Sequence, residues 1–542
     1  MRFAGVRLVA LLVAVVGAVN FLTACHSSRT VSHLAAPVDG AAPGRAQMFV
    51  LGLLLITVAR GLVHRRWAAW IGGMVSLGFA MVVAIPQHRP FAAVLAGAAL
   101  VGLVMMRHAF GTRPDPIRMR LAMKISFVAI AAAVVGGAWD AVAHRHASGG
   151  AGRVVLTDLS TGTPESWRAM LLTFALAITV VGAVMVAFAP AGPPPAGGVS
   201  DRATVGTLVR HADADSLAPF STRADKAYVF SPDRRAVIGY RVLFGTALVG
   251  GDPIGAASSA RDAMSAYLAL CTERGWRPGV LGASDDATAV WRELGLHGLH
   301  IGDEAVLDVA GFSLASRRMR NLRQAVNRTR NAGLTVTIDQ LTPTHAHELA
   351  PVLADWLHGE RERGFAMNLD AILVPRPDCL VATAYSAAGV PVAFARFAVC
   401  ADGTCYTLDV APRGRDAPNG VAERMIIEIV DYARTHGGRE VSLNFAALRW
   451  VFDSTGIVPR ISAGFLHALD RWIEIGPLNR FCAKFAPGWR ARSLLMRSWL
   501  EIGWVAAAAL RAELSPGPSV HSGVTPERTP ESVEVPERAC TE

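Results

Sequence analysis

The sequence lacks the motifs that identify several common enzyme classes. It has no Walker phosphate-binding loop, no Gly-x-Ser-x-Gly elbow and no Cys or His spacing typical of zinc ligands. Its seven cysteines follow no metal-binding pattern, and a reducing cytoplasm would keep Cys400 and Cys405, on either side of a predicted hairpin turn, as thiols. The sequence therefore gives no support for a P-loop nucleotidase, a serine hydrolase of that type or a zinc enzyme, and no metal site is predicted.

A net positive charge is absent outside the N-terminal part of the chain. The protein has a net charge of +10, but residues 1–200 hold 16 Lys and Arg against 5 Asp and Glu, a net charge of +11. Residues 201–542 hold 37 against 38, a net charge of −1. The basic excess therefore reflects membrane topology rather than a general affinity of the whole chain for nucleic acid.

Long hydrophobic runs fill the first 190 residues. Each run is close to the roughly 20 residues that cross a bilayer, so we predict a transmembrane domain over 1–190 with about six spans. Cys25 closes the first run in a sequence similar to a lipoprotein box, but a first transmembrane helix is the favoured interpretation. The six predicted spans are Val6–Thr23, Met48–Val63, Trp67–Ile85, Phe91–Met106, Met123–Ala143 and Met170–Pro190.

The loop charges predict an orientation for this domain. Basic residues concentrate at 60–66 and 107–124, after the second and fourth runs. The positive-inside rule then places these loops, the N-terminus and everything after Pro190 in the cytoplasm.

The remainder of the chain predicts an α/β fold in two successive units. A Pro/Gly-rich linker at 191–215 is followed by units at 216–340 and 341–500, and the Pro-rich tail at 513–542 is predicted to be disordered. Each unit has antiparallel strands, then a helix, then another strand; in the second unit the last antiparallel strand is predicted at Cys405–Val410 and the helix at Gly420–Thr435. This order is the plan of a tandem acetyltransferase-like (GNAT-like) α+β domain.

Polar side chains gather where one predicted strand ends and a helix begins. Asp409, Arg413, Asp416 and Asn419 lie in this segment, where side chains converge on a cleft and a carboxylate could act as a general base or bind an ammonium group. The simpler interpretation is that Asp416 or Asn419 caps the helix. Two further polar residues, Asn444 and Arg449, would lie beside the helix start if their strand is a neighbour.

Two other patterns suggest phosphate binding, each with a plainer alternative. Gly251-Asp-Pro-Ile-Gly255 could cradle a phosphate, but a tight turn is the favoured interpretation. A basic helix and a downstream basic group either contact RNA or lipid phosphate or form a solvated surface. The residues concerned are Arg317, Arg318, Arg320, Arg323, Arg328 and Lys484.

Eight short stretches, in order, carry a family resemblance. Residues 217–498 resemble the catalytic domain of bacterial phosphatidylglycerol lysyltransferases, the multiple-peptide-resistance-factor class, and most of all its actinobacterial members. The stretches are Ser231-Pro-Asp, Gly251–Gly255, Ile301-Gly-Asp-Glu-Ala305, Val326-Asn-Arg328, Glu362-Arg-Gly-Phe-Ala-Met367, Asp409 with Asp416-Ala-Pro-Asn-Gly420, Ser442-Leu-Asn-Phe-Ala446 and Lys484-Phe-Ala-Pro-Gly-Trp489.

The resemblance implies transfer of an aminoacyl group from a charged tRNA to a hydroxyl of phosphatidylglycerol, at a bacterial plasma membrane. The tRNA ester is already activated, so no cofactor is expected; aminoacyl-tRNA and the lipid are the expected partners, and a homo-oligomer stays open. The resemblance implies catalytic roles for Asp409, Arg413 and Asp416. It implies substrate binding by Asn419, Asn444, Arg449 and Glu304, and phosphate contacts by the basic residues named above.

The sequence departs from the family pattern at three places. Asp409-Val-Ala-Pro412 stands where the family usually reads Asp-Leu-Met-Arg, and Arg413 is one residue away from the lost arginine. Ala366 replaces a Ser or Thr, and Ala491-Arg-Ser493 replaces Pro-Arg-Tyr. The alternatives are a degenerate transferase domain that only binds lipid or tRNA, and a transferase that uses alanyl-tRNA or diacylglycerol.

Overall fold

The computed structural model describes residues 2–25, 45–84, 90–128, 178–447 and 475–515, with positions 131 and 175. Positions 64, 111, 113, 114, 212, 360, 361 and 363–367 are excepted. Arg449 and Ala366 lie outside the described residues, as does most of the predicted fifth span.

The N-terminal region is helical, with α1 (Arg2–Cys25), α2 (Arg45–Val63), α3 (Trp67–Ala84) and α4 (Pro90–Met105). Small residues let α1 and α2 pack backbone to backbone, since a Cβ at Gly52 would lie 2.6 Å from the Phe21 nitrogen. Within the described ranges, α1 is the helix that is long and apolar enough to cross a membrane, at Gly5–Leu22. Shorter apolar helices occur at Phe49–Val63, Val94–Met105 and Ile178–Ala187, so the six-span prediction stays a prediction.

Three predicted cytoplasmic ends of the helical region meet in space. Arg66, between α2 and α3, forms a β-bridge with Thr112, which follows α4. Asp115 accepts a hydrogen bond from the Gly192 nitrogen (3.2 Å), just after the helix Ile178–Ala187. The Thr112 hydroxyl donates to the Thr272 carbonyl (2.9 Å), so this end also contacts the C-terminal domain.

The C-terminal domain is built on one mixed sheet of twelve strands. Its order is β1-β2-β3-β5-β12-β6-β11-β10-β9-β8-β7, with β4 paired to β2. The strands are β1 (Ala227–Phe230), β2 (Ala236–Leu243), β3 (Thr246–Gly250), β4 (Ile254–Gly255), β5 (Arg277–Ala283), β6 (His297–Asp308), β7 (Thr335–Asp339), β8 (Cys379–Tyr385), β9 (Pro391–Cys400), β10 (Cys405–Val410), β11 (Glu440–Ala447) and β12 (Gly488–Met496).

Eight helices of the described chain cover this sheet, and two of them correct predicted boundaries. α5 lies inside the predicted linker 191–215, where Val205 and Val209 are buried. α12 reaches Leu514, so the predicted tail cannot begin at 513; its residues from 516 lie outside the described part. The helices are α5 (Val199–Val209), α6 (Ala257–Arg274), α7 (Asp285–Glu293), α8 (Arg320–Asn331), α9 (Pro343–Leu357), α10 (Val421–Thr435), α11 (Ile475–Ala483) and α12 (Ile502–Leu514).

The predicted tandem plan is confirmed, but the boundary between the units is wrong. In the first unit the antiparallel strands β2 and β3 are followed by α6 and then by β5, which pairs in parallel with β3. In the second unit the antiparallel strands β9 and β10 are followed by α10 and then by β11, which pairs in parallel with β10. However, β7 pairs with β8, and Leu322 and Val326 of α8 share a core with Met425 of α10. The second unit therefore begins with α8 rather than at 341.

The last strand ties the two units together. β12 lies between β5 and β6 of the first unit and is antiparallel to both. Leu494 and Met496 pack beneath α12, whereas Leu495 joins the core on the other face of the sheet. The C-terminal end of the predicted second unit thus completes the sheet of the first.

Candidate functional site

The candidate site lies where β10 and β11 separate. They pair in parallel only from Cys405–Glu440 to Thr407–Ser442, and each then has an irregular register against its other neighbour. Asn444 spans the gap, since its Nδ2 donates to the Leu408 carbonyl (3.0 Å). Its backbone is left-handed (φ +70°), a conformation that Asn tolerates better than most residues. Asn444 therefore contacts the residue before Asp409 at this separation, while its predicted place beside the helix start stays a prediction.

Asp409 is buried and already paired. Its Oδ2 lies 2.5 Å from Nε of Arg396 on β9, and its Oδ1 accepts a hydrogen bond from the Leu369 nitrogen (2.8 Å). Arg396 also donates to the carbonyls of Ala371 and Ile372, both at 2.9 Å. A substrate ammonium group could reach Asp409 only by displacing Arg396, so in this structure Asp409 fixes the segment 368–372 onto β9 and β10.

Glu304, predicted to bind substrate, is also held by the protein. It is buried on β6 and ion-paired with Arg492 of β12, and Ser216 and Ser442 donate to its Oε1, each at 2.5 Å. Arg492 also binds Asp215 at 2.8 and 3.0 Å. Although burial alone lowers it, these two carboxylates raise the pKa of Arg492 above its ordinary value.

The two buried ion pairs are connected across the strand separation. Ser442 accepts from the Asn444 nitrogen (3.1 Å) and donates to Glu304, while Asn444 reaches the strand of Asp409 through Leu408. Thr407 on β10 donates to the Ser216 carbonyl (2.7 Å). The two ion pairs thus stabilise the two sides of the separation. Glu304–Arg492 joins β6 to β12 next to β11, and Asp409–Arg396 joins β10 to β9.

Sequence reasoning missed Arg396, Arg492 and Asp215 as members of this arrangement. Arg396 stands in the apolar strand Pro391–Cys400, and a buried charge in such a strand requires a partner. That signal was present in the sequence. The partner of Arg492 is 188 residues away on β6, a pairing that no local pattern reveals.

The glycine-containing turn after β3 is confirmed as a turn. Gly251 has φ +78° and donates its N–H to the Leu281 carbonyl (2.8 Å), so this N–H is already used. Asp252 accepts from the Ser284 nitrogen (3.0 Å). Burial, followed by the nearby Asp215 carboxylate, raises the pKa of Asp252 to about 6.

The loop before α10 presents Arg413, Asp416 and Asn419 at the surface. The N-cap of α10 is Gly420, with φ +100° and no side-chain capping bond, so the predicted capping by Asp416 or Asn419 is wrong. Pro412 is buried, whereas Arg413 is exposed and bridges Ala393 through its backbone. Adjacent residues of an extended segment point to opposite sides, so Arg413 does not replace an arginine lost at position 412.

The basic helix α8 and Lys484 both contact the first turn of α10. A Cβ at Gly420 would meet the Cβ of Ala325 on α8 at 3.0 Å, so the basic helix packs against this point. Arg323 bonds the Ser316 carbonyl (2.7 Å), and Lys484 pairs with Glu423 of α10 (2.7 Å). The exposed members of the set are Arg317, Arg318, Arg320, Arg328 and Lys484.

Comparison with known proteins identifies the family. Residues 206–496 match the family model described as "Phosphatidylglycerol lysyltransferase, C-terminal". The chain belongs to the phosphatidylglycerol lysyltransferase family. These residues include both buried ion pairs and the separation of β10 from β11. The family resemblance read from the sequence is thereby confirmed.

Curated members of the family are larger than the region they share with this chain. The chain is 36% identical over 366 residues to the lysylphosphatidylglycerol biosynthesis bifunctional protein LysX of Mycobacterium tuberculosis, covering 66% of this chain and 31% of that protein. LysX of Mycobacterium ulcerans is 36% identical over 367 residues, covering 66% and 33% respectively. The match thus spans about a third of these relatives' length.

Two solved structures share the fold of the C-terminal domain. One is the C-terminal domain of a lysylphosphatidylglycerol synthetase from Agrobacterium fabrum, with TM-score 0.51 and 23% identity, covering 58% of this chain and 96% of that one. The other is L-PGS from Bacillus licheniformis, with TM-score 0.52 and 20% identity, covering 57% and 96%. They support the fold and not the assignment of individual residues.

Proposed function

We propose that the protein transfers an aminoacyl group, lysine in the first instance, from a charged tRNA to a hydroxyl of phosphatidylglycerol. The family match over residues 206–496 carries this proposal. The reacting lipid oxygen forms a bond to the ester carbonyl carbon, and the bond from that carbon to the ribose oxygen breaks. The proton lost by the lipid hydroxyl passes to the departing ribose oxygen, so no further reactant is needed.

The chemistry requires a proton acceptor, and among the predicted carboxylates Asp416 suits this role best. Asp409 and Glu304 are buried in ion pairs with Arg396 and Arg492, whereas Asp416 lies on the exposed loop before α10. A carboxylate already bound to a guanidinium is a poor base. We therefore assign Asp409 and Glu304 to positioning, and we place the proton-transfer role at Asp416.

The start of α10 provides the complementary positive potential. Gly420 gives this helix no side-chain cap, and the Val421 N–H already donates to the Pro418 carbonyl (3.2 Å), so the proposed site relies on the next N–H groups of the first turn, those of Ala422 and Glu423. N–H groups at a helix start stabilise the negative oxygen of a tetrahedral intermediate. Asn419, beside Gly420 in the same loop, would help to orient the aminoacyl ester.

The two large substrates are proposed to approach from different elements. The exposed arginines of α8 would contact the tRNA backbone, since phosphates are bound largely by Arg and Lys. The lipid would come from the bilayer that holds the N-terminal helices, with the N-terminus and the C-terminal domain in the cytoplasm of a bacterial cell. Added lysine makes the leaflet less negative and weakens its attraction for cationic peptides.

Lipid extracts of cells with and without the gene test the proposal. Mass spectrometry should find an aminoacylated phosphatidylglycerol only when the gene is present. Asp416→Asn should abolish it at unchanged protein level, while the control Asp402→Asn, on the exposed β9–β10 turn, should not. An extract without any aminoacylated lipid across several growth conditions would contradict the proposal.

One observation favours a second function, in which the domain binds lipid or tRNA without catalysis. Pro412 occupies the place of an arginine in the family pattern, and Arg413 faces the other way. If Asp416→Asn and Asp409→Ala both leave the lipidome unchanged while tRNA or lipid binding persists, the binding function is correct. A panel of charged tRNAs offered with phosphatidylglycerol or diacylglycerol separates lysine from alanine and one acceptor from the other.

A further inference from the structure

Four large apolar side chains stand exposed on one side of the C-terminal domain. Phe244 is 56% exposed, Trp499 51%, Leu500 92% and Trp504 49%. Phe244 lies in the β2–β3 turn, Trp499 and Leu500 in the short 3-10 helix after β12, and Trp504 in the first turn of α12. We call these four residues the tryptophan face.

Arg277 links two members of the tryptophan face, Phe244 and Trp504. Its guanidinium carbon lies 5.0 Å from the centre of the Trp504 ring, and its Nη1 donates to the Phe244 carbonyl (3.2 Å). Trp499 packs against His297 with ring centres 5.8 Å apart. Contiguous exposed apolar surface of this kind marks a site of interaction with a membrane or a partner.

Basic residues surround this surface. The charge of Arg277 interacts with that of Arg66, and the charge of Arg497 with that of Arg65. Glu501 is an acidic group beside Arg277 and Arg497. Four arginines against this carboxylate leave the surface positive, which complements an anionic lipid layer and opposes a basic partner.

The tryptophan face adjoins the end of the helical region. A Cβ at Gly245, next to Phe244, would lie 2.6 Å from Pro190, which follows the helix Ile178–Ala187. Trp276 Nε1 donates to the Ala191 carbonyl (2.8 Å). A chain that leaves the bilayer at Pro190 therefore passes directly beside the tryptophan face, at the depth of the lipid headgroups, a layer of roughly 5–8 Å on each side of the hydrocarbon.

We propose that the tryptophan face seats the C-terminal domain on the anionic headgroup layer of the membrane that holds its own N-terminal helices. Trp and Phe rings prefer the boundary between hydrocarbon and water, and guanidinium groups bind lipid phosphates at the same depth. The inference rests on the membrane location in the proposed function but not on catalysis. Since Arg497 directly follows β12, the strand that carries Arg492 ends at the lipid surface.

Fluorescence depth measurement on the full chain tests this inference. Leu500→Cys is labelled with an NBD probe in a Cys25→Ser, Cys540→Ser background, because the other five cysteines are buried. The protein is placed in nanodiscs of phosphatidylglycerol and phosphatidylcholine that contain lipids with a nitroxide high on the acyl chain. The control label is Val390→Cys, 57% exposed beside the β8–β9 turn.

The probe at Leu500 should emit at shorter wavelength and be quenched at least about threefold more than the probe at Val390. Replacing phosphatidylglycerol with phosphatidylcholine should reduce this quenching. Equal quenching at both positions would overturn the inference. A shorter emission wavelength without quenching would overturn it as well, since a second copy or another protein segment would then cover the face.

The two proposals fail separately. The quenching measurement needs no aminoacyl transfer, so quenching at Leu500 without any transfer product refutes only the proposed function. Transfer without preferential quenching refutes only the membrane seat. Trp499→Ser with Trp504→Ser should raise the KM for vesicular phosphatidylglycerol by about tenfold at unchanged kcat, and a fall in kcat alone would contradict the role given to the face.

Discussion

Asp409→Asn should destabilise the C-terminal domain more than any exposed Asp→Asn change. The substitution keeps the size of the side chain but leaves the Arg396 guanidinium buried without a counter-charge, with its carbonyl partners unchanged. Two unit charges about 4 Å apart attract by about 4 kcal/mol at an effective dielectric constant near 20. Breaking one partner of a buried pair costs about 3–5 kcal/mol, which agrees with this figure.

A loss of about 4 kcal/mol should lower the Tm of the domain by roughly 10 °C. The assay is thermal unfolding of the full chain in detergent, with Asp402→Asn as the control. Asp402 is exposed on the β9–β10 turn with φ +54°, which Asn also tolerates, so its Tm should barely change.

A double replacement separates structure from chemistry at this pair. Asp409→Leu with Arg396→Met removes both charges and should recover much of the stability that Asp409→Asn loses. If Asp409→Asn abolishes transfer while its Tm equals that of the wild type, Asp409 is a ligand of the substrate rather than a brace of the site, and its positioning role is refuted.

Three further substitutions test other parts of the structure. Gly420→Ala should lower the free energy of unfolding by about 2–4 kcal/mol, because the alanine would have a left-handed φ and would also press against Ala325. Gly389→Ala, with φ +76° and open space around it, should lower it by about 1 kcal/mol. Equal Tm values for the two variants would contradict the packing of α8 on α10. Arg492→Met should lower the free energy of unfolding by about 3–5 kcal/mol, and Arg490→Met, at a half-exposed ion pair, by under about 1 kcal/mol. A larger fall in Tm for Arg490→Met than for Arg492→Met would contradict the buried network. Burial lowers the pKa of Lys226 to about 7 from 10.5, so wild-type stability falls as pH drops from 10.5 toward 7. The stability gained by Lys226→Met should therefore be about 2–3 kcal/mol larger at pH 6 than at pH 9, and a pH-independent difference would show that Lys226 does not titrate in this way.

Local patterns were sufficient for most elements of the C-terminal domain. The predicted strand Cys405–Val410 has the observed bounds, and the predicted helix Gly420–Thr435 begins one residue early. Alternation, glycine turns and helical periodicity act over a few residues, so they can be read from sequence. The assignment of α8 to a unit failed because it depends on contacts with α10, about 100 residues away.

The electrostatics of the candidate site could not be predicted from the sequence. Asn444 contacts Leu408, the residue before Asp409, because a parallel pair brings the two strand ends together. Asp409 and Glu304 looked available for substrate because their partners, Arg396 and Arg492, reach them only through sheet pairing. Arg492 meets Glu304 because β12 inserts between β5 and β6. No local pattern near residue 492 indicates that β12 pairs with β6 in this register.

The most direct measurement is aminoacyl transfer by the purified full chain in nanodiscs that contain phosphatidylglycerol. Each radiolabelled aminoacyl-tRNA of a panel is supplied in turn, without nucleotide or added metal, and the lipid fraction is counted. The proposed function predicts lysine in the lipid with the wild type and with Asp402→Asn, and none with Asp416→Asn. Label that stays on every tRNA with the wild type, or transfer that survives in Asp416→Asn, would contradict it.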